Sequence, residues 1–370
     1  MTTNTLSQED TYQILNAINH LGPITFNRLK DYFQGDPRKV LEASLSELKK
    51  VEGVGTRLAS AITTWNESYD LNKEKQYLKK LNVRFIPRFH DEYPPLLKEI
   101  YDPPIGLYTR GKKLSTQRTI GIIGSRRCSL YGQKIANTLA KEFVKLGFCV
   151  VSGLARGIDS SAHKGALEEG GPTIAVLGCG VNIIYPPENK DLYEAIKENG
   201  AIVSEYCLNR RADKMTFPMR NRIISGISQA LIVVETNTNG GSIITAKLAA
   251  DQGRHVFAVP GRIDQETSRG CHKLIREGAS LCTCIGDILE ELQYLKQTEL
   301  PLMQEVKIPE DLEDNQKNIL KVLHQKGPQN QDFLSESLNL PITLITSSLL
   351  ILELKGFITK KMNGLFEFRY

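Results

Sequence analysis

The chain has one tryptophan and five methionines in 370 residues, and its seven cysteines are an odd number scattered over strand-like and loop-like stretches. A disulfide scaffold needs a far higher density, so a reducing, cytoplasmic setting is expected. Long apolar runs are also missing. The longest, such as Ile174–Leu177 and Ala230–Val234, fall far short of the roughly 20 residues that cross a bilayer, and no membrane role is expected. Met1–Asp10 is polar, without the basic start and apolar run of a signal peptide. Disorder as the main state is excluded by 41% hydrophobic residues together with 29 glycines. A strong net charge is lacking too: 47 basic against 42 acidic residues leave +5. The balance is local instead. Leu208–Arg222 holds Arg210, Arg211, Lys214, Arg220 and Arg222 against Asp213 alone, which suits a polyanion site on a near-neutral body.

At about 150 residues per domain the length suggests two to three domains. Residues 1–75 read as a helical module, with apolar residues three and four apart over Tyr12–Leu21 and Phe26–Phe33. Within Leu48–Ile62, two apolar-periodic segments flank Gly53-Val54-Gly55. Such a Gly-x-Gly turn leaves N–H groups at a helix N-terminus, where a phosphate can sit. The pattern resembles a helix-hairpin-helix (SAM-like) motif; a plain αα-hairpin used as scaffold is the alternative reading.

Residues 76–295 read as an extended Rossmann-like domain. Its lead-in, Leu78–Leu114, is punctuated by Pro87, Pro94, Pro95, Pro103 and Pro104, which disfavour long helices and central strands. Phe85, Ile86, Phe89, Leu96, Leu97, Ile100 and Leu107 need burial, so the lead-in is expected to pack on the strands and helices beyond Thr119. From Thr119 onward β-branched runs alternate with helical patterns: Thr119–Ile123 then Leu130–Leu146, Cys149–Ser152 then Ser160–Glu168, Thr173–Leu177 then Asn189–Lys197. Ile202–Ser204, Arg220–Ile227, Ala230–Glu235, Ser242–Gln252 and His255–Val259 continue the alternation. Uninterrupted apolar strands between helices predict an α/β, doubly wound, mostly parallel sheet covered on both faces. Residues 296–309, with Pro301 and Pro309, read as a linker. Residues 310–370 read as a winged helix: helices Asp311–His324, Gln331–Leu338 and Thr343–Leu354, then Phe357–Lys361 and Leu365–Arg369 turning at Asn363-Gly364.

Ligands of such a sheet bind at the carboxyl ends of the strands, and the loops there are rich. After the first strand comes Gly124-Ser-Arg-Arg-Cys-Ser-Leu-Tyr-Gly132, which is neither a Gly-x-Gly-x-x-Gly fingerprint nor a P-loop. Gly124 admits close approach, Ser125 offers a hydroxyl, and Arg126 and Arg127 offer forked donors suited to phosphate. Ser152-Gly-Leu-Ala-Arg-Gly-Ile-Asp159 repeats these ingredients with Gly153 and Arg156, and Asp159 is expected to cap the next helix. Gly178-Cys-Gly180, leading to Tyr185-Pro-Pro-Glu-Asn189, is a third loop. Phe217-Pro-Met-Arg-Asn-Arg222 sets an aromatic face among cations, the combination that binds single strands. Gly240-Gly-Ser242 opens another helix. His163 comes after the second loop, as a ligand-facing or a packing residue.

These strings, in this order, resemble the DprA/Smf family, the DNA-processing proteins of bacterial natural transformation. The resemblance continues through Ser204-Glu205, Val233-Val-Glu235, Gly241-Ser-Ile-Ile-Thr-Ala246, Phe257-Ala-Val-Pro-Gly261 and Gly270-Cys-His-Lys-Leu-Ile-Arg-Glu-Gly-Ala279. It departs at Asn182, Gly240 and His272, where the family often has Asp, Ser and Asn; none of these removes a basic residue. The resemblance implies a non-enzymatic protein of competence and recombination. It would bind single-stranded DNA, form a homodimer, load the recombinase RecA, and help strands past single-strand-binding protein, with no nucleotide cofactor. The residues expected at the DNA are Gly124, Ser125, Arg126, Ser152, Gly153, Arg156, Phe217, Arg220, Asn221, Arg222, Gly241, Ser242 and Lys273. Leu274, Ile275 and Leu281 are candidates for a dimer interface, or for burial in their own core.

Three other readings compete. Nucleotide-monophosphate phosphoribohydrolases share this kind of sheet and carry Pro-Gly-Gly-x-Gly-Thr-x-x-Glu. Here Asn239-Gly-Gly-Ser-Ile-Ile-Thr-Ala246 has no carboxylate until Asp251, so the evident general acid or base is missing and no catalytic residue is expected. Cys271, His272, Cys282 and Cys284 lack structural-zinc spacing, and Cys282 and Cys284 read as neighbours on one strand face; no metal is expected. A winged-helix DNA-binding regulator would need cations on Pro341–Leu354, which has none before Lys355.

Overall fold

The computed structural model describes residues 6–114, 118–292, 312–361 and 364–368; the expected linker 296–309, Asn363 of the hairpin turn and Arg369 lie outside them. The chain divides into two compact units, one ending at Thr298 and one starting at Glu299. The first begins with helices α1 (Gln8–Ala17), α2 (Pro23–Tyr32), α3 (Arg38–Glu42), α4 (Leu45–Leu48), α5 (Thr56–Thr63), α6 (Trp65–Ser68) and α7 (Leu71–Leu81). Their starts follow local chemistry. The Ser7 and Asp70 side chains accept the orphan N–H groups of Asp10 and Lys73, and Ser44 with Glu47 forms a capping box. Asn82 ends α7 in the left-handed region, and Gly53 turns between α4 and α5 at φ 86°.

The proline-rich lead-in supplies β1 (Val83–Pro87), the one-turn helix α8 (Pro95–Lys98) and β2 (Gly106–Gly111). There follow β3 (Thr119–Ile123), α9 (Leu130–Lys145), β4 (Cys149–Ser152), α10 (Ile158–Glu168), β5 (Thr173–Val176), α11 (Lys190–Asn199) and β6 (Ala201–Ser204). The domain closes with α12 (Thr216–Ile227), β7 (Ala230–Val233), α13 (Gly241–Asp251), β8 (His255–Ala258), α14 (Glu266–Arg276), β9 (Ser280–Leu281) and α15 (Ile285–Glu291). The strands form one sheet in the order β1-β2-β6-β5-β4-β3-β7-β8-β9. All pairings from β6 to β9 are parallel, and only β1 with β2 and β2 with β6 are antiparallel. The order reverses at β3, the signature of a doubly wound sheet. The expected α/β class is therefore the observed one.

Alternation along the strands assigns the faces. Ile120, Ile122 and Val150 pack on Ala136, Leu139, Ala140 and Phe143 of α9 and on Ala162 and Ala166 of α10. Ile123, Val151, Val176, Leu231 and Val233 pack on the opposite side against Ile223, Ile224 and Ile227 of α12 and Ile243, Ala246 and Ala249 of α13. Residues of α1–α7, including Ile14, Leu15, Phe26, Leu48 and Leu58, share a third core with Phe85, Tyr108, Ile202 and Tyr193. The N-terminal helices thus pack directly onto the antiparallel end of the sheet.

Three local readings change. The helix expected from Arg220 starts at Thr216, so Phe217 belongs to its first turn. Gly157, not Asp159, occupies the N-cap position of α10. Strand β9 stops at Leu281; Cys282 is buried while Cys284 is exposed at the start of α15, so the two share no strand face. All seven cysteines are free, and no metal-competent cluster of His, Cys, Asp and Glu occurs among the described residues. No single helix there is long and apolar enough to cross a membrane.

The second unit contains α16 (Asp314–Lys326), α17 (Gln331–Leu338), α18 (Ile342–Leu354) and the antiparallel pair β10 (Ile358–Lys360) and β11 (Phe366–Phe368), with Ile358 opposite Phe368. Ile319, Leu320, Leu334, Ile345, Leu349, Leu352 and Phe366 form its core.

Helices α9 and α10 approach closely because position 165 is glycine: a Cβ there would lie 2.3 Å from the Asn137 carbonyl oxygen. Backbone cannot yield as a side chain does. We expect Gly165→Ala to lower stability by about 1–3 kcal/mol, read as a reduced midpoint in urea denaturation.

Candidate nucleic-acid interface

At the carboxyl ends of β3, β4 and β5, loops with little conformational choice are knitted into one surface. The Ser125 N–H donates to the Glu235 carbonyl (2.6 Å), and the Ile158 N–H to the Ser125 carbonyl (3.3 Å). A Cβ on Gly124 would sit 2.8 Å from the Glu235 carbonyl oxygen, and one on Gly157, at φ 75°, 2.3 Å from that of Ser125. These glycines are needed because backbone meets backbone. The buried Glu235 carboxylate accepts from the Ser129 N–H (2.8 Å) and hydroxyl (2.5 Å), pinning the first loop to the start of α9.

The second loop is held from beneath. Asp159 is buried, and its carboxylate accepts from the N–H groups of Gly153 (3.1 Å) and Ala155 (3.4 Å). Burial raises its pKa, opposed by the positive charge of Arg220. Leu154 has φ 56°, a region costly for a leucine, and is fixed at both ends. Its N–H donates to His163 Nε2 (3.3 Å) and its carbonyl accepts from Asn189 Nδ2 (2.9 Å). The Thr173 hydroxyl donates to the Val150 carbonyl (2.7 Å) and so accepts from His163 Nδ1 (2.7 Å), which sets the tautomer. His163 is thus a packing residue.

On this frame lies a cleft lined by Arg126, Gly153, Ala155, Arg156, Leu177, Gly178, Cys179, Tyr185, Pro186, Phe217 and Arg220. Its guanidinium groups differ in setting. Arg126 is exposed and lies over the Phe217 ring, 5.0 Å from the centroid. Phe217 in turn meets Tyr185 at 5.5 Å, and the Tyr185–Pro186 peptide is cis. Arg156 is on the rim, paired with Glu188. Arg220 is 4% exposed and forms the floor, donating from Nη1 to the Val176 carbonyl (2.9 Å). Burial lowers its pKa, while Asp159 opposes that shift. A guanidinium still stays charged at neutral pH. Gly153 makes room for it, since a Cβ there would lie 1.4 Å from Nη1. The enclosed space is only ≈30 Å³, about one water, so a nucleotide would lie across the rim rather than sink in.

The other expected residues are placed as follows. Ser152 is buried, its hydroxyl on the Ile122 carbonyl (2.7 Å), and supports the cleft from within the sheet. Asn221 is half-buried beside Arg220 and does not line the cleft. Arg222 is turned away altogether. Its guanidinium is buried in an ion pair with Glu205 and reaches Asp102 (3.2 Å) and the Asp102 carbonyl (2.6 Å). Gly241 and Ser242 open α13 on the far side of β3, the Ser242 hydroxyl bonded to Thr236 (2.8 Å). Lys273 pairs with Glu277 on α14. Leu274 is core, Ile275 packs against it, and Leu281 is 48% exposed on the edge strand β9.

Sequence reasoning passed over Tyr185, the second ring of the cleft, and Glu188, the counter-charge of Arg156. Their sequence signal was the Tyr-Pro-Pro-Glu string itself. Asp159 is expected from sequence only as a helix cap and His163 only as one of two readings, while the hold of Glu235 on Ser129 has no such signal.

The family model for DNA recombination-mediator protein A matches residues 84–293. Protein Smf of Synechocystis sp. is 31% identical over 389 residues, spanning 96% of this chain and 97% of its own. DNA processing protein DprA of Bacillus subtilis is 42% identical over 216 residues, 58% of this chain and 73% of its own. Among solved structures, DprA of Streptococcus pneumoniae aligns with TM-score 0.66 at 33% identity, over 77% of this chain and 98% of its own. DNA processing protein A of Helicobacter pylori, described for its single-stranded DNA binding mode, aligns with TM-score 0.53 at 30% identity, over 58% of this chain and 97% of its own.

Two outcomes test this frame. Desolvation, with the nearby Arg220 charge, lowers the His163 pKa from 6.5 to about 3. The unfolded chain takes up this proton near pH 6.5 and the folded chain does not. The stability His163 contributes is therefore complete above that pH and is lost on acidification, by about 1.4 kcal/mol per pH unit down to roughly pH 3. Urea denaturation across pH 4–6 should show wild type steeper than His163→Gln by about that slope. Removing one partner of the buried Arg222–Glu205 pair strands a charge, so Arg222→Ala should lose about 3–5 kcal/mol in the same assay. A surface contact residue would leave the midpoint unchanged.

Proposed function

Because the chain belongs to the DNA recombination-mediator protein A family, we propose that it binds single-stranded DNA at the cleft formed by Arg126, Phe217, Tyr185, Arg156 and Arg220. One observation carries the reading: an exposed guanidinium lies on Phe217, one of two solvent-accessible rings in contact, in a cleft also lined by a second, buried guanidinium. Cations meet phosphates without regard to sequence, and the ring faces accept any base. Gly124, Ser125, Ser152 and Gly153 would act through their backbone and support rather than as separate contacts. Gly241, Ser242 and Lys273 would meet DNA only where the strand runs beyond the cleft, across β3 toward β8.

The lining holds no carboxylate, and its polar groups are arranged for binding, so no reaction is assigned to it. Family membership further supports a DNA-processing role in natural transformation, with delivery of the bound strand to RecA past single-strand-binding protein. It also supports a homodimer. The exposed Leu281 on the unpaired edge of β9 is the surface we assign to that contact, in place of the buried Leu274.

Titration of labelled oligothymidylate at several salt concentrations tests the cleft. Removing one phosphate contact with Arg126→Ala should reduce the salt slope by about 0.7. Phe217→Ala should cost about 1–3 kcal/mol of affinity with the slope retained. Wild-type affinity and slope in both folded variants would refute the placement.

A further inference from the structure

A second groove combines cations and rings on the same unit, away from the carboxyl ends of the strands. It has a volume of ≈410 Å³ and is lined by Tyr12, Asn27, Lys30, Arg88, Phe89, Lys98, Ile100, Tyr101 and Pro103. It lies where α1, α2 and the lead-in between β1 and β2 come together. Three of its lining residues are cations and none is a carboxylate.

Its chemistry repeats that of the cleft. Arg88 lies over the buried Phe26 ring at 5.3 Å and donates to Asn27 Oδ1 (2.6 Å), which fixes its guanidinium at the groove wall. Phe89 meets Tyr12 edge-on at 5.0 Å yet remains 42% exposed, and Tyr101 is 80% exposed. Both rings therefore present apolar surface to the groove. Neither Lys30 nor Lys98 forms an ion pair among the described residues. The nearest acid in sequence to Tyr101 is Asp102, which shares the Arg222 guanidinium with the buried Glu205.

That ion pair also relates groove and cleft. Asp102 sits between the groove residues Tyr101 and Pro103, and Arg222 lies five positions along α12 from Phe217, about 7.5 Å of helix rise. One helix therefore carries the cleft at its first turn and is clamped to the groove's lip just beyond.

We propose that this groove is a second binding track for single-stranded nucleic acid, in which Tyr101 and Phe89 stack bases while Lys30, Lys98 and Arg88 neutralise phosphates. An acidic peptide would satisfy the lysines but leaves the bare rings unexplained; a base-bearing polyanion uses both. The proposal rests on the reading of the cleft, because the track extends the path of a strand already held there. Arg88 is a positioning residue as well, since it orders Asn27 and covers Phe26.

The test compares a short oligothymidylate, sized for the cleft alone, with one several times longer, using full-length protein. The variants are Lys30→Ala/Lys98→Ala and, separately, Tyr101→Ser, all on side chains that carry little of the core. For the long strand the double variant should lose about 1.4 of salt slope, at roughly 0.7 per phosphate. Tyr101→Ser should weaken it roughly fivefold or more. The short strand should bind both variants as it binds wild type. Halogenated-uracil photocrosslinking of the long strand should label the peptide carrying Tyr101. Equal binding of the long strand by all three proteins, with no label on that peptide, overturns the groove while leaving the cleft intact. If wild type binds neither strand, the reading of the cleft fails, and the groove's with it.

Discussion

A buried guanidinium organises the cleft. Arg220 is withdrawn from water under the loops after β4 and β5, a placement that costs several kcal/mol unless charge and hydrogen bonds answer it. The answer comes from three directions. The Val176 carbonyl takes one N–H, the Asp159 carboxylate supplies the opposing field, and Gly153 yields the space a Cβ would fill. Each partner is thereby committed. Asp159 holds the Gly153 and Ala155 N–H groups, His163 and Asn189 hold Leu154, and the first turn of α12 is drawn down until Phe217 reaches the rim.

Two residues further on, the same helix is fastened again. Arg222 pairs with Glu205 after β6 and with Asp102 before β2, joining α12 to the antiparallel end of the sheet. Burial pushes the Glu205 pKa up, and the Arg222 charge works against that. One buried arginine thus sets the height of α12 over the strand ends and the other sets where it is anchored. The helix between them cannot tilt without stranding a charge, which is why the Phe217 ring is held at the rim from its first turn.

The exposed groups are left to act. Arg126 has no acidic partner among the described residues and spends its planar face on Phe217, so its forward N–H groups remain available to a phosphate. Arg156 is already paired with Glu188 on the surface, a contact worth little in water and readily exchanged for a stronger anion. The cleft therefore contains one permanent, one available and one exchangeable positive charge. A single basic count over the same residues would not have separated them.

Much of this was legible in the order of residues. Apolar four-residue strands between amphipathic helices determine a doubly wound sheet, because each strand must be buried on both faces. Gly124, Gly153 and Arg126 come just after strand ends, where such a sheet binds ligands. The glycines mark where the backbone must pass close to something. What remained hidden was direction. Arg220 and Arg222 lie two positions apart in one basic run, but successive residues of a helix turn about 100°, so their side chains leave on nearly opposite sides. One enters the cleft floor and the other a buried ion pair. Likewise, Arg126 and Phe217 meet only because α12 crosses the ends of strands laid down far earlier in the chain. Local sequence carries residue type and spacing along one element; which faces meet is decided by packing between elements, where a charge goes where an opposite charge or a carbonyl can replace its water.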